Sequence, residues 1–171
     1  MKRIRSIIVT AISAIMLLSV CAVICNAEDK YDSIVEAAIE SFADTWKTTL
    51  TDDSYQTDGY VSIKNTRIIV LKEDPVFSSD TNKRSYEAAF KGARYVVEFL
   101  FYADYFGSAP YYSYPGINNA VLVFEDGSCE TVKNPVDTYR SRSYETDYSG
   151  FIEECIDLGG DYNRDFDFIE E

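Results

Sequence analysis

The chain of 171 residues contains no histidine. That absence excludes Ser-His-Asp and Cys-His catalysis, histidine-ligated zinc and a histidine pH switch. Cysteine is scarce as well. Of the four present, Cys21 and Cys25 fall in the first 27 residues, leaving only Cys129 and Cys155 downstream. Two thiols cannot make a four-cysteine zinc site, and no C-x-x-C pair exists to tune a reactive thiolate. Basic residues number 16 against 29 acidic ones, for a formal charge of −13. Lys2, Arg3 and Arg5 all precede the first acidic residue, Glu28, so the remainder is more negative still. Such a field repels phosphate backbones and anionic headgroups, which argues against nucleic acid and a peripheral membrane site. Cations and basic peptides are electrostatically easier. No segment carries a cofactor-binding motif, and none is expected to bind a cofactor.

What is present begins with location. The positive Lys2-Arg3-Arg5 cluster leads into an apolar run from Ile7 to Ile24, and Cys25-Asn26-Ala27 places small residues at a signal-peptidase site. Residues 1–27 therefore read as a secretory signal peptide and 28–171 as a single secreted domain. The alternatives keep the N-terminus in the membrane: an uncleaved anchor, or a lipidated Cys21 after Leu18-Ser19-Val20.

Asp32 or Ser33 suits the cap of a helix from Ile34 to Leu50, where Val35, Ile39, Phe42 and Trp46 recur at helical spacing. Tyr60–Glu73 is rich in β-branched residues and predicts a strand, bent or bulged at Lys64-Asn65 and stopped at Asp74-Pro75. Residues 74–85 read as a polar loop, with one weak helical turn over Ser85–Phe90. Ala93–Phe106 predicts a long aromatic strand, and Gly107–Asn118 a loop. Asn119–Val132 predicts a hairpin about a two-residue Asp126-Gly127 turn, which sets Phe124 against Cys129 and Val121 against Val132. Residues 133–147 read as irregular. A short helix is expected from Asp147 or Ser149 to Leu158, stopped by Gly159, and then a terminal strand or acidic tail bearing Tyr162, Phe166 and Phe168.

The expected fold is α+β: a long N-terminal helix packed on a bent antiparallel sheet of about four strands, with a short C-terminal helix. In order of elements this resembles cystatin-like and NTF2-like rolls, a resemblance that carries no site residue across.

Several constellations invite a chemical reading. Cys129 and Cys155 form a disulfide candidate in an oxidising compartment, or else two inert thiols. The stretch from Tyr102 to Tyr114 holds five tyrosines. Tyr111, Tyr112 and Tyr114 on the loop, with Tyr105 and Asp104 beside them, suit recognition of a glycan or peptide, because tyrosine joins a flat apolar face to a polar tip. Asp161, Asn163 and Asp165 copy the opening of a calcium loop, but Phe166 stands where glycine is needed and the closing glutamate position lies past Glu171. No metal is expected there. Glu98, inside the apolar run, suits an acid or base if unpaired, or a partner of Arg94 or Arg67. The reading that results is a secreted, non-catalytic binding domain using the tyrosine-rich loop. A small carboxylate- or tyrosine-based enzyme and a secreted inhibitor of a partner protein are its alternatives.

Overall fold

The computed structural model describes residues 31–48, 58–105, 111–112 and 118–169. The chain clusters into two compact units, Met1–Ile34 and Val35–Glu171, and all packing given below lies within the second. Helix α1 covers residues 31–48. The order then runs β1 (Asp58–Leu71), α2 (Asp80–Phe90), β2 (Tyr95–Tyr105), β3 (Tyr111–Tyr112), β4 (Asn118–Val123), β5 (Cys129–Lys133), α3 (Pro135–Ser143), β6 (Ile152–Gly159) and β7 (Arg164–Ile169). All pairings are antiparallel, in the order β5-β4-β2-β1-β6, with β3 on β2 and β7 on β1. The fold is α+β with three described helices. The sheet is larger than the expected four strands, having six substantial strands and the two-residue β3.

Alternation along β2 divides the core into two layers. Val97, Phe99, Phe101 and Ala103 point to one face, and Val96 and Glu98 to the other. On the first face Phe42 of α1 meets Phe99 and Phe101 at ring-centroid distances of 4.8 and 5.0 Å, and Trp46 meets Phe101 at 5.0 Å. Val35, Ala38, Ile39 and Phe42 are essentially inaccessible to solvent. Burying a side chain such as Phe42 stabilises the fold by roughly 2–3 kcal/mol. Polar contacts fix where α1 lies: Ser41 bonds Thr131 of β5 at 3.1 Å, and Arg164 of β7 donates to Glu36 at 2.6 Å.

The opposite face is covered at one end by α2 and α3. Tyr86, Phe90, Tyr139 and Phe151 pack on Ile69, Leu71, Val96 and Leu122. Ser79 caps α2 by accepting from Asn82 N, and Lys91 closes it in the left-handed region, φ 53°. Asn134 caps α3 by accepting from Val136 N and Asp137 N, with Pro135 at the first helical position, where its missing N–H costs nothing. This apolar cluster ends at Ala120, in the row Arg67–Glu98–Ala120. One row further on, Leu100 is 55% exposed.

Four expectations are corrected. Residues 80–85 are not loop, because the Ser79 cap starts α2 at Asp80 and it runs to Phe90. Residues 133–147 are not irregular, because Asn134-Pro135 starts α3. Residues 152–159 form edge strand β6 on β1 rather than a helix. Finally, the hairpin is real but slipped by one residue: Val123 opposes Cys129, and Ala120 opposes Val132. Phe124 accepts from Gly127 N and donates to Ser128 O, and only Gly127 has positive φ (83°), so the loop has three residues rather than two. The slip moves Cys129 and Val132 to the faces opposite those expected.

Candidate functional site

The exposed end of the α2–α3 face carries the candidate site. Register places Arg67 of β1 opposite Glu98 of β2. Glu98 is only 6% exposed. Its Oε2 accepts from Arg67 Nε at 2.7 Å and from Arg67 Nη2, and its Oε1 accepts from Asn134 Nδ2 at 2.7 Å. Burial opposes the Arg67 charge, but the Glu98 hydrogen bond and charge outweigh it and hold the guanidinium above its ordinary pKa. Both oxygens of Glu98 are engaged, so the pair orients its surroundings rather than offering a free acid or base. Of the two arginine partners named from sequence, Arg67 takes the role. Arg94 pairs with Glu153 at 2.9 Å instead.

Around this pair lies a groove of about 220 Å³, lined by Asn65, Arg67, Glu98, Leu100, Asn119, Asn134 and Asp157 among others. Two of its walls come from β-bulges, irregularities that re-aim side chains. Pairing of β1 with β2 jumps from Ile63↔Phe101 to Asn65↔Leu100, which leaves Lys64 as the extra residue. Pairing of β4 with β5 jumps from Asn118↔Lys133 to Ala120↔Val132 and leaves Asn119 unopposed. Asn119 Oδ1 is buried without a hydrogen-bond partner.

Beyond the groove, Tyr60 and Tyr102 approach with ring centroids 6.4 Å apart. Hydrogen bonds from Ser62 and from the Tyr60 hydroxyl hold the Asp165 carboxyl below its usual pKa. The backbone of β3 pairs Tyr112 with Tyr102 and Tyr111 with Ala103, while Asp104 and Tyr105 close β2 opposite Tyr60 and Gly59. Tyr114 lies outside the described residues. Along β2, Tyr112 and Tyr111 thus pair two and three residues beyond Leu100. Arg67 was named only as a partner of Glu98, and Asn65, Asn119, Asn134 and Asp157 went unread as a site. Only the Lys64-Asn65 irregularity and the Asn134-Pro135 cap signal pointed at any of them.

The two cysteines read as a disulfide candidate are not bridged in the structure. Cys129 lies on β5 and Cys155 on β6, at opposite ends of the strand order, and both are free thiols. Four inter-strand steps span roughly 19 Å along the sheet, against the ~7 Å limit between bridged Cα atoms. Burial raises both thiol pKa values, so neither is a ready thiolate. Asp161–Asn163 form the β6–β7 turn, where Asn163 N donates to Gly160 O at 3.0 Å. Among the described residues no group of three or more His, Cys, Asp or Glu side chains is placed to hold a metal ion.

A second cavity, about 300 Å³, lies between Val76–Ser78 and Glu145–Phe151. Glu145 spans it: Oε1 accepts from Thr146 N and Asp147 N at 3.1 and 3.3 Å, and Oε2 from Asn82 Nδ2 and Ser78 Oγ at 3.3 and 3.4 Å. With all these donors supplied by the protein, the carboxylate holds one strap to another. Among the described residues, no helix is long and apolar enough to cross a membrane. The chain matches no protein-family model, no curated protein and no solved structure.

Proposed function

We propose that the protein is an exported, non-catalytic binding domain whose ligand surface is the exposed end of the α2–α3 face. One observation carries this reading. A groove of fixed polar groups around Arg67–Glu98 adjoins exposed Leu100 and the Tyr60–Tyr102 pair, next to the tyrosine strand β3. Rigid polar groups and amphipathic rings lose little conformational entropy when they capture a ligand. Tyr105, Tyr111, Tyr112 and Tyr114, with Asp104, are the further residues we assign to ligand capture. Glu98, the acid or base considered from the sequence, is occupied on both oxygens, which favours binding over catalysis. The fold we read as a roll, with α1 against one face of a sheet bent at the Lys64 bulge, and residues 28–171 as the exported part.

The test is a glycan and peptide array probed with the wild-type protein and with Tyr111, Tyr112 and Tyr114 all replaced by alanine. The expected outcome is capture by the wild type, loss in the variant, and identical far-UV circular dichroism. Capture unaffected by the substitutions refutes the tyrosine surface. Mass spectrometry of exported protein should find Glu28 at its N-terminus, and an intact Met1 or lipidated Cys21 contradicts release.

A further inference from the structure

We infer that the Arg67–Glu98 groove is a subsite for one ring of a neutral saccharide. This rests on the binding reading and names its ligand. A volume of about 220 Å³ lies below the roughly 300–1,000 Å³ of drug-sized sites, so the groove takes a single small ring. The polar groups left over after internal bonding are mixed in kind. Asn65 Oδ1 is held by Thr66 N, which leaves its Nδ2 as donor. Asn134 Oδ1 caps α3 and one Nδ2 proton goes to Glu98, which leaves the second as donor. Asn119 lines the groove with its Oδ1 covered and without a donor, so a turn of this side chain into the groove supplies an acceptor that no protein group uses. Asp157 gives Oδ1 to Gly159 N and keeps Oδ2 as acceptor. A hydroxyl donates and accepts at once, so a polyol satisfies such a mixed set where an ion of either sign does not. Leu100 and the Tyr60–Tyr102 rings, just outside, supply apolar surface for the C–H face of a sugar.

The geometry disfavours two other ligands. An extended peptide seeks a free sheet edge, but at this row β1, β2 and β4 each have neighbours on both sides. Acidic sugars meet Asp157 and a chain of net charge −13.

The experiment is an array of neutral, acidic and amino-sugar oligosaccharides printed beside random peptides, probed with wild type, Asn119→Leu and Asp157→Asn. Neutral glycans are expected to bind the wild type, with affinity about tenfold lower in each variant, the effect of one lost ligand hydrogen bond. Asn119→Leu removes an acceptor that no protein group uses, so its Tm should equal or exceed that of the wild type while binding falls, a combination that a structural role does not give. Asp157→Asn is exposed and keeps the oxygen that accepts from Gly159 N, so it decides the matter should the buried substitution unfold the chain. Capture of peptides or acidic glycans alone overturns the saccharide assignment and leaves the binding reading standing, as do neutral-glycan affinities unchanged in both variants. Capture of nothing overturns both.

Discussion

Asn134 joins the fold to the groove, so removing its side chain has two separable costs. Its Oδ1 caps α3 through Val136 N and Asp137 N, and its Nδ2 donates to the buried Glu98 carboxylate. Losing an asparagine cap costs about 1 kcal/mol. Losing a hydrogen bond to a charged group costs roughly 1.5–3 kcal/mol, and the lower end applies because Arg67 still donates to the same carboxylate. Asn134→Ala should therefore lose about 2.5 kcal/mol. At a urea slope near 2 kcal/mol/M that is a midpoint shift of about 1.2 M, with the slope itself unchanged. Asn134→Asp separates the parts. Aspartate restores the cap but sets a second carboxylate against Glu98 and removes the donor. At neutral pH this variant should be no more stable than the alanine variant, despite its better cap. Protonating the introduced aspartate removes the repulsion, so lowering the pH through the ordinary aspartate range should stabilise this variant relative to the alanine one. Urea titrations of both variants between pH 4 and 7 make the test. An alanine variant within ~0.5 kcal/mol of wild type, or an aspartate variant as stable as wild type at neutral pH, refutes the reasoning.

Three further perturbations have definite expectations. A β-carbon on Gly150 would stand 2.3 Å from the Val76 carbonyl oxygen, so Gly150→Ala should cost about 1–3 kcal/mol by forcing backbone apart; thermal unfolding checks this, and an unchanged Tm contradicts it. Asp165 has its pKa depressed by hydrogen bonds from Ser62 and Tyr60, so the stability it contributes is present above the ordinary carboxyl range, near pH 4, and is lost as pH falls through the depressed value. Asp165→Asn should flatten that acid limb of the stability profile, and an unaltered limb removes Asp165 from the account. In denaturant without reductant, iodoacetamide should label both Cys129 and Cys155, and Cys155, the more exposed, should react first in the native state; a pair of blocked cysteines contradicts the sheet order.

Much of the scaffold was legible because some patterns are local. Val35, Ile39, Phe42 and Trp46 mark a helical stripe over several turns, and all four are buried as expected. The β-branched run of β1 and its irregularity at Lys64-Asn65 were readable for the same reason. The hairpin register was not. Asp126 Oδ1 accepts from Ser128 N at 3.0 Å, a side-chain turn that leaves positive φ to Gly127 alone and adds a loop residue. Residues Phe151, Ile152, Cys155 and Ile156 imitate helical spacing, yet pairing with β1 decides their state, and no short window contains that partner. The Asn134-Pro135 signal for α3 was present but sits between weakly apolar residues. The site was the least legible part. Glu98 and Arg67 lie 31 positions apart, and Asn65, Asn119, Asn134 and Asp157 meet only through cross-strand register and two bulges. The tyrosines drew notice because they cluster in sequence, whereas the groove beside them is assembled in space.

The central claim is that the exposed end of the α2–α3 face binds the ligand, and amide chemical-shift mapping tests it most directly. Isotope-labelled protein would be titrated with the array ligand that gives the strongest signal. The account predicts saturable shifts at Tyr60, Asn65, Arg67, Leu100, Tyr102 and Asn119, with amides of the Tyr86–Phe90–Phe151 cluster unmoved. Shifts confined to α2, α3 and the Glu145 strap, or no saturable shift on this face, would contradict it.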